Sequence, residues 1–173
     1  MNLIMSVKKI LMYPDPRLLK NSLKIEKIDA EVKGIAEDLL ETMYLAEGVG
    51  LAAPQIGINK RIFVMDCSDK QEKREYVIAI NPEIISSSQE FKTYKEGCLS
   101  IPEITEEVVR PEKVHVRYED LYGKLKTEKL EGLWATCFQH ELDHLNGKLF
   151  IDYLKPIKKT LIKNKIKKLN KKR

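Results

Sequence analysis

No apolar run in the chain reaches the roughly eighteen residues that a membrane-spanning helix needs, which excludes an integral membrane protein of the helical kind. Its three cysteines, Cys67, Cys98 and Cys137, are too few and too odd in number for a disulfide framework. The opening stretch MNLIMSVKKILMYPDPRLLK lacks the succession of basic, apolar and small-residue segments that marks a secretory signal, so an unprocessed, cytoplasmic chain is expected. There is no internal repeat and no linker-like segment, and 173 residues suit one domain with a single good core. Acidic residues are missing from 155–173, a stretch with ten Lys/Arg, whereas the body before it holds more acid than base. The net charge of +5 therefore resides in the tail. That asymmetry argues against a surface that coats nucleic acid generally and for a local basic handle.

Histidine is scarce as well, yet two of the three fall in one short motif, His140-Glu141-Leu142-Asp143-His144. On a helix, positions i and i+4 share a face, so both imidazoles can reach one metal ion, with Glu141 placed to act on water beside it. Leu133, Trp134, Cys137, Phe138, Leu142 and Leu145 form an apolar stripe around the motif, and Asn146-Gly147 is a helix stop. Two histidines leave a catalytic site of the zinc type one protein ligand short. The metzincin completion fails at Phe150, and no Glu remains after Glu141 for a thermolysin-type completion. The third ligand should lie upstream. Cys98, in the polar, glycine-containing turn Glu96-Gly97-Cys98-Leu99-Ser100, is the best candidate, because a thiolate is a strong ligand for zinc or ferrous iron. Cys67 and Cys137 read as small buried hydrophobes, and His115 as a solvated strand residue. Glu96 and Asp143 either orient a ligand, pair with Arg110, or are ordinary carboxylates.

Elsewhere, Asp29 caps a predicted helix whose Val32, Ile35, Ala36, Leu39, Leu40 and Met43 recur at helical spacing up to Glu47-Gly48. Gly48 to Gly57 suits a loop, and it is no dinucleotide fingerprint, since its spacing fails at Ala53. Strands are predicted at 61–65, at 76–80 with Asn81-Pro82 closing it, within 83–94, and at 114–118 leading through a turn at 121–124 into 124–130. Leu161, Ile162, Ile166 and Leu169 give the tail a helical period. The sum is an α+β fold, mostly antiparallel strands around a central metal-binding helix, with a helix in the N-terminal half and a basic helix at the C-terminus.

Three motifs in order, GVGLAAPQ at 48–55, EGCLS at 96–100 and QHELDH at 139–144, together resemble the signature set of the peptide deformylases. The resemblance extends to the PDPRL segment at 14–18 and covers essentially residues 5–155. It implies removal of the formyl group from the N-terminal formyl-methionine of newly made chains, by a single catalytic domain at 1–154 followed by a basic tail at 155–173. It implies Cys98, His140 and His144 as metal ligands and Glu141 as general acid/base. Gln55, through its side-chain amide, and Leu99, through its backbone N–H, would bind the formyl oxygen. Val49 and Gly50 would line the substrate groove, and Leu133 and Cys137 the methionine pocket. The implied cofactor is one divalent ion, natively Fe²⁺, with Zn²⁺, Ni²⁺ or Co²⁺ as alternatives. The implied partners are N-formylmethionyl nascent peptides and, through the tail, the ribosome near its exit tunnel, with no membrane and no sequence-specific nucleic acid. Two departures from the family are visible: Thr105 stands where many members carry an arginine, and Thr136 replaces a larger residue. An HExxH metalloprotease, or a non-catalytic module with a structural metal, are the competing readings.

Overall fold

The fold is organised by β2 (Ile62–Met65), whose residues are all buried because the strand is covered on both faces. A strand's side chains alternate between faces. Ile62 and Val64 accordingly enter one apolar cluster, and Phe63 and Met65 another. Helix α1 (Ala30–Leu45) covers the first face with Val32, Ile35, Leu39 and Met43. Helix α2 (Gly132–Leu145) covers the second with Phe138, Leu142 and Leu145, and Phe138 meets Phe63 edge-on at 5.0 Å between ring centroids. Each such side chain removed from water contributes roughly 1.5–3 kcal/mol before the cost of ordering the chain. The structure, a computed structural model, describes residues 7–69 and 72–172. The first six residues, on which part of the unprocessed-start expectation rests, and Arg173 of the basic tail lie outside the described residues.

The sheet around β2 is antiparallel throughout, in the order β1 (Gly50–Ala52), β2, β3 (Val77–Ser87), β6 (Lys113–Glu119), β7 (Leu125–Glu131). A separate antiparallel pair is formed by β4 (Phe91–Cys98) and β5 (Ile101–Pro111). Against it packs α3 (Pro156–Asn170), which buries Ile162 and Ile166 among Ile101, Ile104, Val108, Leu149, Phe150 and Ile151. No helix among the described residues is long and apolar enough to cross a membrane.

Helix α1 begins as predicted, with the Asp29 carboxylate accepting from the Val32 N–H at 3.1 Å. Helix α2 ends at the predicted stop. Gly147 has φ +69°, and a Cβ there would lie 2.6 Å from the Leu19 carbonyl oxygen, so only glycine fits. Three expectations need correction. Asn81-Pro82 does not close β3: Asn81 takes φ +49°, and the pairing with β6 shifts register between Ile80 and Glu83, a bulge that absorbs the proline's missing N–H. The glycine-rich stretch at 48–57 is more than a loop, since it contains edge strand β1 and a short 3₁₀ turn at Ala53–Ile56. Strand β5 was not anticipated: its inward positions, Ile104, Glu106, Val108 and Arg110, mix apolar and charged residues, and the charged ones hide the alternation.

Candidate metal centre and substrate groove

Helix α2 presents His140, Glu141 and His144 on the side that faces β4, and the bulge at Gly97/Cys98 turns the Cys98 side chain towards them. Nε2 of His140 and Nε2 of His144 lie 3.2 Å apart, and Cys98 Sγ is 3.4 Å from the latter. One donor atom from each of Cys98, His140 and His144 lies within 4.8 Å of the others. Tetrahedral ligands about 2.0–2.3 Å from one ion stand roughly 3.3–3.8 Å from each other, so the three donors fit a single shared ion.

The two histidines differ in protonation. His140 Nδ1 is 3.0 Å from Glu96 Oε2, which leaves the Nε2 lone pair for a metal when Nδ1 holds the proton. Burial opposes a charge on His140, but its hydrogen bonds to Cys98 and Glu96 outweigh burial and hold its pKa well above the ordinary histidine value. An ion bound there would displace a proton from this ring. Burial, aided by the His140 and Arg110 charges, pushes His144 well below the ordinary value, so this ring is neutral. Within this cluster, His144 Nδ1 and Glu141 Oε2 are buried and have no hydrogen-bond partner among the described residues.

Glu141 is buried against edge strand β1. A Cβ on Gly50 would sit 2.4 Å from Glu141 Oε1, so the absence of a side chain at 50 is what lets the carboxylate lie there. Burial pushes the Glu141 carboxyl up to about 7, the range in which a carboxylate can both take and return a proton near neutral pH. Gln55 is locked: Oε1 accepts from the Ala52 N–H at 2.9 Å, while Nε2 donates to Ser100 Oγ at 3.1 Å and lies 3.5 Å from Cys98 Sγ.

Behind His140 lies a buried ionic chain. Arg110 grips Glu96 through Nε at 2.5 Å and Nη2 at 3.0 Å, and reaches Asp143 through Nη1 at 2.9 Å. The Tyr153 hydroxyl donates to Asp143 at 2.8 Å, and its ring lies 4.6 Å from the Arg110 guanidinium carbon. Burial alone would raise the Glu96 pKa, but hydrogen bonds from His140 and Arg110 hold it below the usual carboxylate range. Glu96 thus does both things the sequence offered, bracing His140 and pairing with Arg110, whereas Asp143 pairs with Arg110. Tyr153 and Ser100 were missed. Ser100 stands inside a motif already singled out, but nothing in the sequence marks Tyr153.

A cavity of about 390 Å³ runs between β1 and β4 to this cluster. Every metal, catalytic and substrate residue expected from the sequence lines it except the buried His144. Val49 and Leu133 are half-exposed at its mouth, and Cys137 is buried in its wall. Thr105 and Thr136, the two departures, also face it. His115 stands on β6, away from the cavity, as expected.

Comparison with known proteins places this arrangement among relatives. The family model described as polypeptide deformylase matches residues 7–160. The peptide deformylase of Afipia carboxidovorans is 49% identical over 164 residues, covering 95% of this chain and 96% of that protein. That of Rhizobium meliloti is 48% identical over 91% of each. Among solved structures, a peptide deformylase from Legionella pneumophila superposes with TM-score 0.89 at 44% identity, covering 96% of each chain. The Ehrlichia chaffeensis peptide deformylase in complex with actinonin superposes with TM-score 0.90 at 41% identity, covering 97% of this chain and 98% of that one.

Proposed function

The chain belongs to the polypeptide deformylase family, a hydrolase that removes the N-formyl group from nascent polypeptides, and from that premise we propose how its own residues divide the work. Family membership sets aside the metalloprotease and the non-catalytic module. Cys98, His140 and His144 hold one divalent ion, a reading supported by their three converging donor atoms. Such an ion lowers the pKa of water and polarises a carbonyl.

Glu141 takes the proton from the attacking water as its oxygen bonds to the formyl carbon. The Gln55 side-chain amide and the Leu99 backbone N–H donate to the formyl oxygen as negative charge develops there; one such donor is typically worth about 3–4 kcal/mol. Glu141 returns the proton to the amine as the C–N bond breaks, releasing formate and a free N-terminus. Gly50 in β1 and Val49 just before it, at the outer strand of the sheet, pair with the peptide backbone, and Leu133 and Cys137 line the pocket for the methionine side chain. Glu141 carries the reading: a buried carboxylate with a free oxygen beside the ligand cluster is what a hydrolytic site needs and a closed structural site does not.

The native ion we take to be Fe²⁺, with Zn²⁺, Ni²⁺ or Co²⁺ able to substitute, since one thiolate and two imidazoles suit all four. Residues 1–154 form the catalytic domain and 155–173 the basic tail. That division is one of function, because α3 shares a core with β5. The tail's uninterrupted positive charge suits contact with the ribosome near the nascent-chain exit, and the enzyme acts in the cytoplasm without sequence-specific nucleic-acid binding. Anaerobic purification with metal analysis, alongside an assay of formate release from a formyl-Met peptide, tests the assignment. One equivalent of divalent metal and metal-dependent release supports it. Release that survives complete metal removal overturns it.

A further inference from the structure

The two cysteines outside the ligand set meet beside the groove. Cys67 stands two residues beyond the end of β2 and is half-buried, while Cys137 on α2 is buried in the groove wall. Cys67 Sγ lies 3.9 Å from the carbonyl oxygen of Leu133, one helical turn before Cys137. Cys137 Sγ lies 3.5 Å from the carbonyl oxygen of Val49, which also accepts at 2.8 Å from the N–H of Asp66, the neighbour of Cys67. Strand end and helix turn are thus fastened at one place, with both thiols at the junction.

We propose that Cys67 and Cys137 form a reversible dithiol–disulfide site, oxidised by hydroperoxides, whose closure reshapes the methionine side of the groove. The Cys67 thiolate attacks a peroxide oxygen: an S–O bond forms, the O–O bond breaks, and the departing oxygen leaves as water or an alcohol. The Cys137 sulfur then attacks the sulfenic sulfur, forming the S–S bond and releasing the second oxygen as water. Two thiols lose two electrons in all, and the hydroperoxide gains them. Oxidation begins at Cys67, the more exposed of the two. Hydrogen bonding to Cys67 and burial hold the Cys137 thiol well above the ordinary value, so it stays protonated until a sulfenic acid forms beside it. A bond between the two sulfurs ties the first turn of α2, with Leu133, to the end of β2, and draws in the wall that Val49, Leu133 and Cys137 give the groove. Neither thiol is a metal ligand, so the ion stays in place.

The kinetic half of this proposal rests on the groove being the deformylase substrate site; the covalent half does not, and the experiment reads them separately. Zinc-loaded protein is treated with one equivalent of hydrogen peroxide, alkylated, and mapped by non-reducing peptide mass spectrometry. The expected product is a Cys67–Cys137 linked peptide lighter by two hydrogens, reversed by dithiothreitol, with zinc retained. The KM for a formyl-Met peptide should rise about tenfold, the scale of a small change in an apolar pocket. The variant Cys67→Ser should keep the untreated KM and lose both the linked peptide and the peroxide response. Recovery of Cys67 and Cys137 only as separate alkylated or over-oxidised thiols overturns the site. A linked peptide with unchanged KM overturns its effect on the groove.

Discussion

Glu96 Oε2 lies 3.0 Å from Nδ1 of His140, and the same carboxylate is held on its other side by Arg110. The histidine is therefore aimed from behind by a group that is itself fixed, and its geometry depends on a residue outside the proposed ligand set. Glu96→Gln keeps the shape and removes the charge. Metal affinity should fall about 10–100-fold. Stability should fall by up to about 3–5 kcal/mol, because Arg110 keeps only Asp143 as a charged partner. Metal titration of the folded variant checks this, and unchanged affinity would remove Glu96 from the site.

Gly50 and Glu141 cannot both keep their places if position 50 gains a side chain, because the added Cβ would stand 2.4 Å from the carboxylate oxygen. Gly50→Ala should lower kcat by about 10² or more by displacing the proton carrier, with metal content unchanged. Steady-state kinetics beside metal analysis separate that outcome from simple loss of the ion.

The Asp66 carboxylate gives a pH prediction away from the metal centre. Burial would raise its pKa, but hydrogen bonds from the Ser68 hydroxyl, the Tyr44 hydroxyl and the backbone N–H groups of Ser68 and Glu75 outweigh burial and depress it. A folded pKa below the unfolded one means stability that is fully present above the unfolded value, near 4, and is lost as pH falls through the folded value. Wild-type protein should therefore lose stability below about pH 4, and Asp66→Asn should show less of this slope with a lower starting stability at neutral pH. Denaturant midpoints from pH 7 to pH 3 measure both; parallel curves for the two proteins would contradict the prediction.

Ile101 and Ile104 line the groove and also pack with Ile162 and Ile166 of α3, so the basic helix supports the β5 wall. Ile162→Ala and Ile166→Ala should each cost about 2–5 kcal/mol, and the double variant should bind the formyl peptide more weakly. Thermal melts and KM check this. A stable double variant with unchanged KM would make α3 an appendage.

Much of the candidate site was legible because its chemistry is local in sequence: His140 and His144 stand one helical turn apart as candidate ligands, and the missing third partner pointed upstream to Cys98. The helices were equally clear, since Asp29 and Gly147 act within a turn of where they stand. What escaped depends on distant pairing. Strand β5 exists because β4 lies beside it, and Arg110 points inward only because Glu96 and Asp143 wait there. Tyr153 and the meeting of Cys67 with Cys137 likewise follow from tertiary packing, for which isolated residues carry no signal. Asn81-Pro82 misled for the opposite reason: its local preference is a turn, and the sheet overrode it with a bulge.

X-ray absorption spectroscopy of the zinc-loaded protein is the most direct check on the claim that one sulfur and two imidazoles share an ion. The account predicts one sulfur scatterer at about 2.3 Å and nitrogen scatterers, with imidazole features, at about 2.0–2.1 Å, the sulfur vanishing in Cys98→Asp. A spectrum without sulfur in the wild-type protein, or one that Cys98→Asp leaves unchanged, would contradict it.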